Sequence, residues 1–302
     1  MSQEGGTNFS LISLGKPIEK LIDSVSKAVG TIYKPRSIRN EADAQAYKIE
    51  TIANATAKSS IIKSEAENEI ADRARQRLYH QEMQRQVNID NVVENSIKYL
   101  HPTAPDQPVD EDWFTRFFIK VQDIKNEEVS EIWAKILANE INNPGQFSVR
   151  AIDVLSNLSK NEAEHFKILL SIKFENGNDI SVLKTLKNDL KEFGLSFDDL
   201  LNLDNAGLIY SDFNLDTYGN TVTLEQNGNE VSGWQFRFGG KVQFLPDVTS
   251  VLKKYGMNGF PAIPFTRVGE ELARVVKVEP NYEYWEQFKA DWTNRGLAFI
   301  EI

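Results

Sequence analysis

From Ser37 to Leu100 the chain contains neither glycine nor proline, and Pro102 follows two residues later. The two residues that most readily break a helix are thus missing from the whole stretch. Alanine recurs through it at 42, 44, 46, 53, 55, 57, 66, 71 and 74. An unbroken helix over this span would reach about 95 Å at 1.5 Å per residue, more than a compact domain needs. Large apolar residues are thin between Ile62 and Val87, then return at helical spacing as Ile89, Val92, Val93, Ile97 and Leu100. The pattern predicts a helical arm, 37–100, with a polar middle and a C-terminal end that docks on the body. A segment of this kind belongs with another helix, another copy or a large partner.

Charge divides the chain in the same place. Residues 1–100 carry 14 Lys and Arg against 13 Asp and Glu, net +1, and residues 101–302 carry 20 against 31, net −11. An acidic body disfavours a broad nucleic-acid footprint. With no cysteine present, disulfides, thiolate metal sites and a cysteine nucleophile are excluded. No run of eighteen apolar residues is present, so no conventional membrane-spanning helix is expected. The N-terminus lacks the basic start, apolar run and cleavage site of a secretory signal. The expectation is a cytoplasmic protein, with peripheral contact at the inner membrane as its one membrane option.

That option rests on residues 1–36. Leu11, Leu14, Ile18, Leu21, Val25, Ala28 and Ile32 alternate spacings of three and four, the seam of a heptad pattern. Pro17 suits the first turn of a helix. From Lys16 to Arg39 there are six basic residues against Glu19 and Asp23. Such a helix packs its stripe on another helix or lies on an anionic membrane. Leu11, Leu14, Ile18, Leu21, Val25 and Ile32 are therefore the candidate interaction stripe, expected to meet a second copy, a partner protein or a membrane surface.

Beyond the arm, three prolines between Pro102 and Pro108 make a linker. A helical subdomain, 109–176, follows. Asp110 and Asn126 cap two helices with acidic residues in their first turns, Ser148 begins a third, and Ser159 with Glu162 forms a capping box for a fourth that runs through Phe174. Residues 177–302 read as α+β. A helix around Ile180–Phe193 precedes a second start at Ser196, which breaks at Gly207, and Leu208–Tyr210 reads as a strand. Strands at Thr221–Glu225, Trp234–Phe238 and Val242–Leu245 follow, with a turn at Asn227-Gly228-Asn229. Helices at Thr266–Lys277 and Tyr282–Asn294 and a strand at Leu297–Ile302 complete the reading. The fold class is α+β, mostly helical: an arm, a helical subdomain and a C-terminal subdomain with a winged-helix-like outline.

The run Val121-Gln122-Asp123-Ile124-Lys125-Asn126-Glu127-Glu128, with Ile132-Trp133-Ala134-Lys135-Ile136-Leu137-Ala138-Asn139-Glu140 and Pro144-Gly145, resembles a family of bacterial proteins described only as a domain of unknown function. Arg85-Gln86-Val87-Asn88-Ile89-Asp90-Asn91-Val92 is similar to the arm-to-body junction of that family. The resemblance covers residues 70–175 well and the C-terminal third more loosely. It implies no catalytic residue; proteins of similar layout imply a role in defence against phage.

Catalytic motifs are missing. His80, His101 and His165 lack metal-ligand spacing, and no phosphate-binding glycine loop or nucleophile elbow occurs. No cofactor and no metal are expected. A DNA-reading winged helix would present Lys, Arg, Asn or Gln on its second helix. Here that helix carries Asp198, Asp199 and Asp204 without Lys or Arg, which opposes the phosphate attraction that dominates DNA affinity. The expected function is a non-enzymatic assembly or adaptor protein that oligomerises or binds a partner through its arm. A DNA-binding regulator using the winged-helix-like region is the alternative.

Overall fold

The computed structural model describes residues 15–30, 33–35, 49–50, 52–53, 56, 69–105, 107–177, 179–185, 190–210, 215–226 and 229–302. The protein is α+β and divides into two compact units, Met1–Ile152 and Asp153–Ile302.

The N-terminal unit is helical. Its elements are α1 (Gly15–Val29), α2 (Glu69–Ser96) running into a 3₁₀ turn (Ile97–Tyr99), α3 (Glu111–Val121) and α4 (Glu127–Asn142). The expected caps are in place: Asp110 and Asn126 accept from the backbone N–H of Trp113 and Val129. α1 packs on α3 and α4, and α2 packs on the same two helices. The core between them is aromatic. Trp113 stacks on Phe117 at 5.0 Å, and Phe117 meets the fully buried Trp133 edge-on at 5.3 Å. The buried Glu140 carboxylate receives the N–H groups of Gly145 and Phe147, which ties down the loop after α4.

Helix α5 (Val149–Asn157) holds the division between the units, whereas the sequence reading divides the body near residue 176. In the C-terminal unit, α6 (Lys160–Ser171) carries the Ser159–Glu162 capping box and ends before Phe174, which begins a strand. The strands are β1 (Phe174–Asn176), β2 (Asp179–Leu183), β3 (Asp216–Thr217), β4 (Asn220–Gln226), β5 (Asn229–Phe238), β6 (Lys241–Pro246), β7 (Phe260–Pro264) and β8 (Ile300–Glu301). They form one antiparallel sheet in the order β3-β7-β2-β1-β5-β6-β8, with β4 held by β5. Helices α7 (Phe197–Asn205), α8 (Val248–Lys254), α9 (Arg267–Ala273) and α10 (Tyr282–Thr293) complete the unit. Along α10, Tyr284, Trp285, Phe288 and Trp292 form a buried stripe. Phe288 meets Phe174 at 4.9 Å, and Trp292 meets Phe260 at 4.8 Å.

Several sequence expectations are corrected here. The helix expected around Ile180–Phe193 is strand β2 followed, at Leu190–Phe193, by a 3₁₀ turn. Ile180 to Leu183 are all buried, and a strand covered on both faces loses the alternation that would distinguish it from a helix. Leu208–Tyr210 makes a single bridge, Ile209 to Phe265, rather than a strand. The Thr266 helix ends at Ala273, and the final strand keeps two residues. Thr266 begins α9 so close to that bridge that a Cβ on Gly269 would sit 2.0 Å from the Leu208 carbonyl oxygen.

Candidate interaction site on the long helix

Burial changes abruptly along α2. From Asn88 to Leu100 one side of the chain is sealed: Asn88, Ile89, Asp90, Val92, Val93, Ser96, Ile97 and Leu100 are all buried. From Ile70 to Val87, Ala71 alone is buried, and three apolar side chains stand in solvent: Ile70 at 66%, Tyr79 at 38% and Val87 at 40% exposure. The 28 residues of α2 span about 42 Å. Before Asn88, α2 thus keeps apolar side chains that its own unit does not cover.

At the point of change α2 is pinned by polar contacts. The Asn88 amide donates to the Gln122 carbonyl at 2.8 Å and accepts from Gln84 at 3.1 Å. Arg85 donates to Asp123 at 3.0 Å and to Glu82 at 3.0 Å. Along the same face run Gln81, Gln84, Asn88, Asn91 and Asn95, spaced 3, 4, 3 and 4. These amides line two clefts that share Asn88 and Lys125. One, of about 170 Å³, also holds His80, Arg85 and Asp123; the other, of about 430 Å³, also holds Lys98, Glu127 and Glu131. Amides both donate and accept. Within the chain Gln84 and Asn88 bond to each other, and Asn95 accepts from Lys98 at 2.9 Å.

Below the stripe, the Tyr99 hydroxyl donates to the Glu131 carboxylate, and Lys135 lies 5.7 Å from the Tyr99 ring centre. The hydrogen bond to Glu131, with burial adding to it, pushes the Tyr99 phenol up to about 12. Asn142 receives the His101 N–H at 2.9 Å and donates to the Tyr99 carbonyl at 2.8 Å. The 3₁₀ turn is thereby fixed to the end of α4.

The interaction stripe expected on the N-terminal helix has a different fate. Ile18, Leu21 and Val25 are 6%, 0% and 0% exposed, turned into the core of their own unit. Lys20 reinforces the docking by donating to the Ile141 carbonyl at 3.3 Å, at the end of α4. These three are packing residues, because the heptad seam finds α3 and α4 within the same unit. Leu11, Leu14 and Ile32 lie outside the described residues, as does most of the expected arm before Glu69. The amide stripe escaped the sequence reading, although its 3-4 spacing was visible there; a search for apolar periodicity passes over amides.

In the C-terminal unit, a cleft of about 230 Å³ holds Lys173, Glu175, Arg237 and the Gly239-Gly240 turn. Lys173 is paired with Glu175 at 2.7 Å, so the cleft does not concentrate positive charge. His165 lies 3.2 Å from Asp199, whose carboxylate also closes the Ser196 capping box at the start of α7. Those cap contacts, led by the Ser196 hydroxyl, hold the Asp199 carboxyl below the usual range. Among the described residues, no cluster of three His, Asp or Glu side chains could hold a metal ion.

The protein is thus an α+β chain with one long helix that is buried at its C-terminal end and exposed before Asn88. A family model described as "Protein of unknown function (DUF2806)" matches residues 72–289, and the chain belongs to that family. The match begins three residues into α2, after Ile70, and covers parts of both units. Neither a curated protein nor a solved structure matched the chain.

Proposed function

We propose that the protein is a non-enzymatic assembly protein that oligomerises through the exposed half of α2. The observation that carries this reading is the burial change at Asn88, which leaves Ile70, Tyr79 and Val87 in solvent on a helix otherwise firmly anchored. The near-neutral charge of residues 1–100 supports it, since copies meet there without net repulsion. The test is solution mass by light scattering. Replacing Ile70, Tyr79 and Val87 with Asp should lower the mass of the assembly, and an unchanged mass would end the proposal.

A cytoplasmic location accords with the described residues, among which no helix is long and apolar enough to cross a membrane. Peripheral membrane contact through residues 11–32 would need Ile18, Leu21 and Val25 to leave their core, so protein is the better-supported partner. Flotation with anionic liposomes tests this, and no flotation is expected. For the biological setting we propose defence against phage in a bacterial host, as the resemblance of residues 70–175 implies. Plating efficiency of phage on cells with and without the gene tests it directly.

A further inference from the structure

The sheet of the C-terminal unit ends at two blunt edges and, among the described residues, leaves one long edge open. β3 and β8, its outer strands, are two residues each. Natural sheets protect their edges by shortness, proline, lysine or a bulge. β4 is seven residues long, contains neither proline nor lysine, and pairs with β5 as its one described neighbour. β6 pairs with β5 from Gly233 onward. Beyond Ser232, whose carbonyl accepts from Asp247, residues 229–231 have β4 as their one paired strand among the described residues, and the β4–β5 pair continues past the sheet as a two-stranded ribbon. Such a ribbon is marginal in water, whereas a third strand stabilises it.

The ribbon's chemistry limits what it can take. No Lys or Arg occurs between Asn220 and Phe236, so it cannot grip phosphate as the wing of a DNA-binding protein would. Glu225 lies directly across from Glu230, an unfavourable pair. One face carries half-buried Val222, Leu224 and Val231; the other carries exposed Thr221, Thr223, Glu225, Glu230 and Ser232. The orientation of the backbone follows from β5. Asp247 donates to the Ser232 carbonyl, so Ser232 turns its backbone groups toward β6. Its partner Thr223 consequently turns its own N–H and C=O to the open edge, and Thr221 and Glu225 do the same.

We propose that β4 pairs with β4 of a second copy, antiparallel and centred on Thr223. This register pairs Thr221 to Glu225, while Asn220 gives its N–H to the Asn176 side chain within its own chain. It sets Val222 against Leu224 of the other copy on the apolar face and Glu225 against Thr221 on the polar face, so no carboxylate meets another across the dyad. A shift of the centre by one residue sets Val222 or Leu224 against itself. The contact is isologous, as two-fold interfaces are. It is separate from the surface on α2, so a chain with both has two different self-contacts.

The chain's lack of cysteine gives a direct test on the full-length protein. Chains with Val222→Cys, mixed with chains with Leu224→Cys and oxidised, should form a disulfide dimer, and either variant alone should form much less. Thr221→Glu should weaken self-association and Thr221→Lys strengthen it, the two affinities separating by about tenfold. Thr223→Pro should abolish the contact while keeping the β4–β5 ladder, because the lost N–H faces outward. Loss of this contact should leave the hydrogen exchange of residues 70–87 unchanged, which separates its failure from that of the α2 assembly. The proposal is overturned if the mixed cysteine chains do not cross-link, or if Thr221→Glu and Thr221→Lys associate equally.

Discussion

The two halves of α2 are one continuous helix with opposite environments. After Asn88 its side chains enter a core of α3 and α4 residues; before it, Ile70, Tyr79 and Val87 face water. The division is made by residue type rather than by helix propensity. Ile89, Val92, Val93 and Ile97 supply a stripe wide enough to bury, while Asp72, Arg73, Arg75 and Arg77 supply none. α1 sharpens the lesson. Its heptad seam is stronger than anything in the first half of α2, yet Leu21 and Val25 are fully buried in the unit. A pronounced apolar stripe finds its partner within the chain, and the weaker one before Asn88 stays exposed.

The largest effect that would break this contrast lies in α1. Replacing Leu21 and Val25 together with Asp should destabilise the N-terminal unit by about 4 kcal/mol or more, since two carboxylates would enter a dry core. Denaturation followed by tryptophan fluorescence should show the loss; a stable, less associated protein would return α1 to the role of an interface. At the pin, Asn88→Ala should cost about 1–3 kcal/mol, because the Gln122 carbonyl loses its donor inside the structure. Full retention of stability would show that apolar packing alone sets the burial change.

A smaller effect reports on the base of the helix. The Tyr99 phenol is raised to about 12 in the folded protein, against about 10 unfolded. Its stabilising contribution is complete below pH 10 and is lost as the pH rises from about 10 to about 12, because the unfolded chain releases its proton first. Tyr99→Phe should flatten that part of the stability profile. An ultraviolet titration in which Tyr99 ionises with ordinary tyrosines would contradict the Glu131 contact. Smallest of all is the stability change expected for the Ile70, Tyr79 and Val87 to Asp variant, within about 0.5 kcal/mol per site, as for exposed positions generally.

Much of this was legible in the chain. Asp110, Asn126, Ser159 and Ser196 marked helix starts because capping is a local contract between neighbours. The docking of residues 89–100 could be read from apolar spacing alone. What escaped the sequence depended on distant residues. β2 looked helical because both of its faces are covered, so that consecutive side chains are buried. Whether the seam of α1 faces its own unit or another molecule is decided by α3 and α4, which lie about a hundred residues away. The candidate site was half visible: the sparse apolar content of residues 62–87 marked a segment without a core, while its amides carried no apolar period.

The most direct measurement of the central claim is amide hydrogen exchange along α2 as a function of protein concentration. The account predicts that residues 88–99 are protected at every concentration, and that residues 70–87 gain protection as the chains assemble. Exchange of residues 70–87 that stays fast and independent of concentration would contradict it.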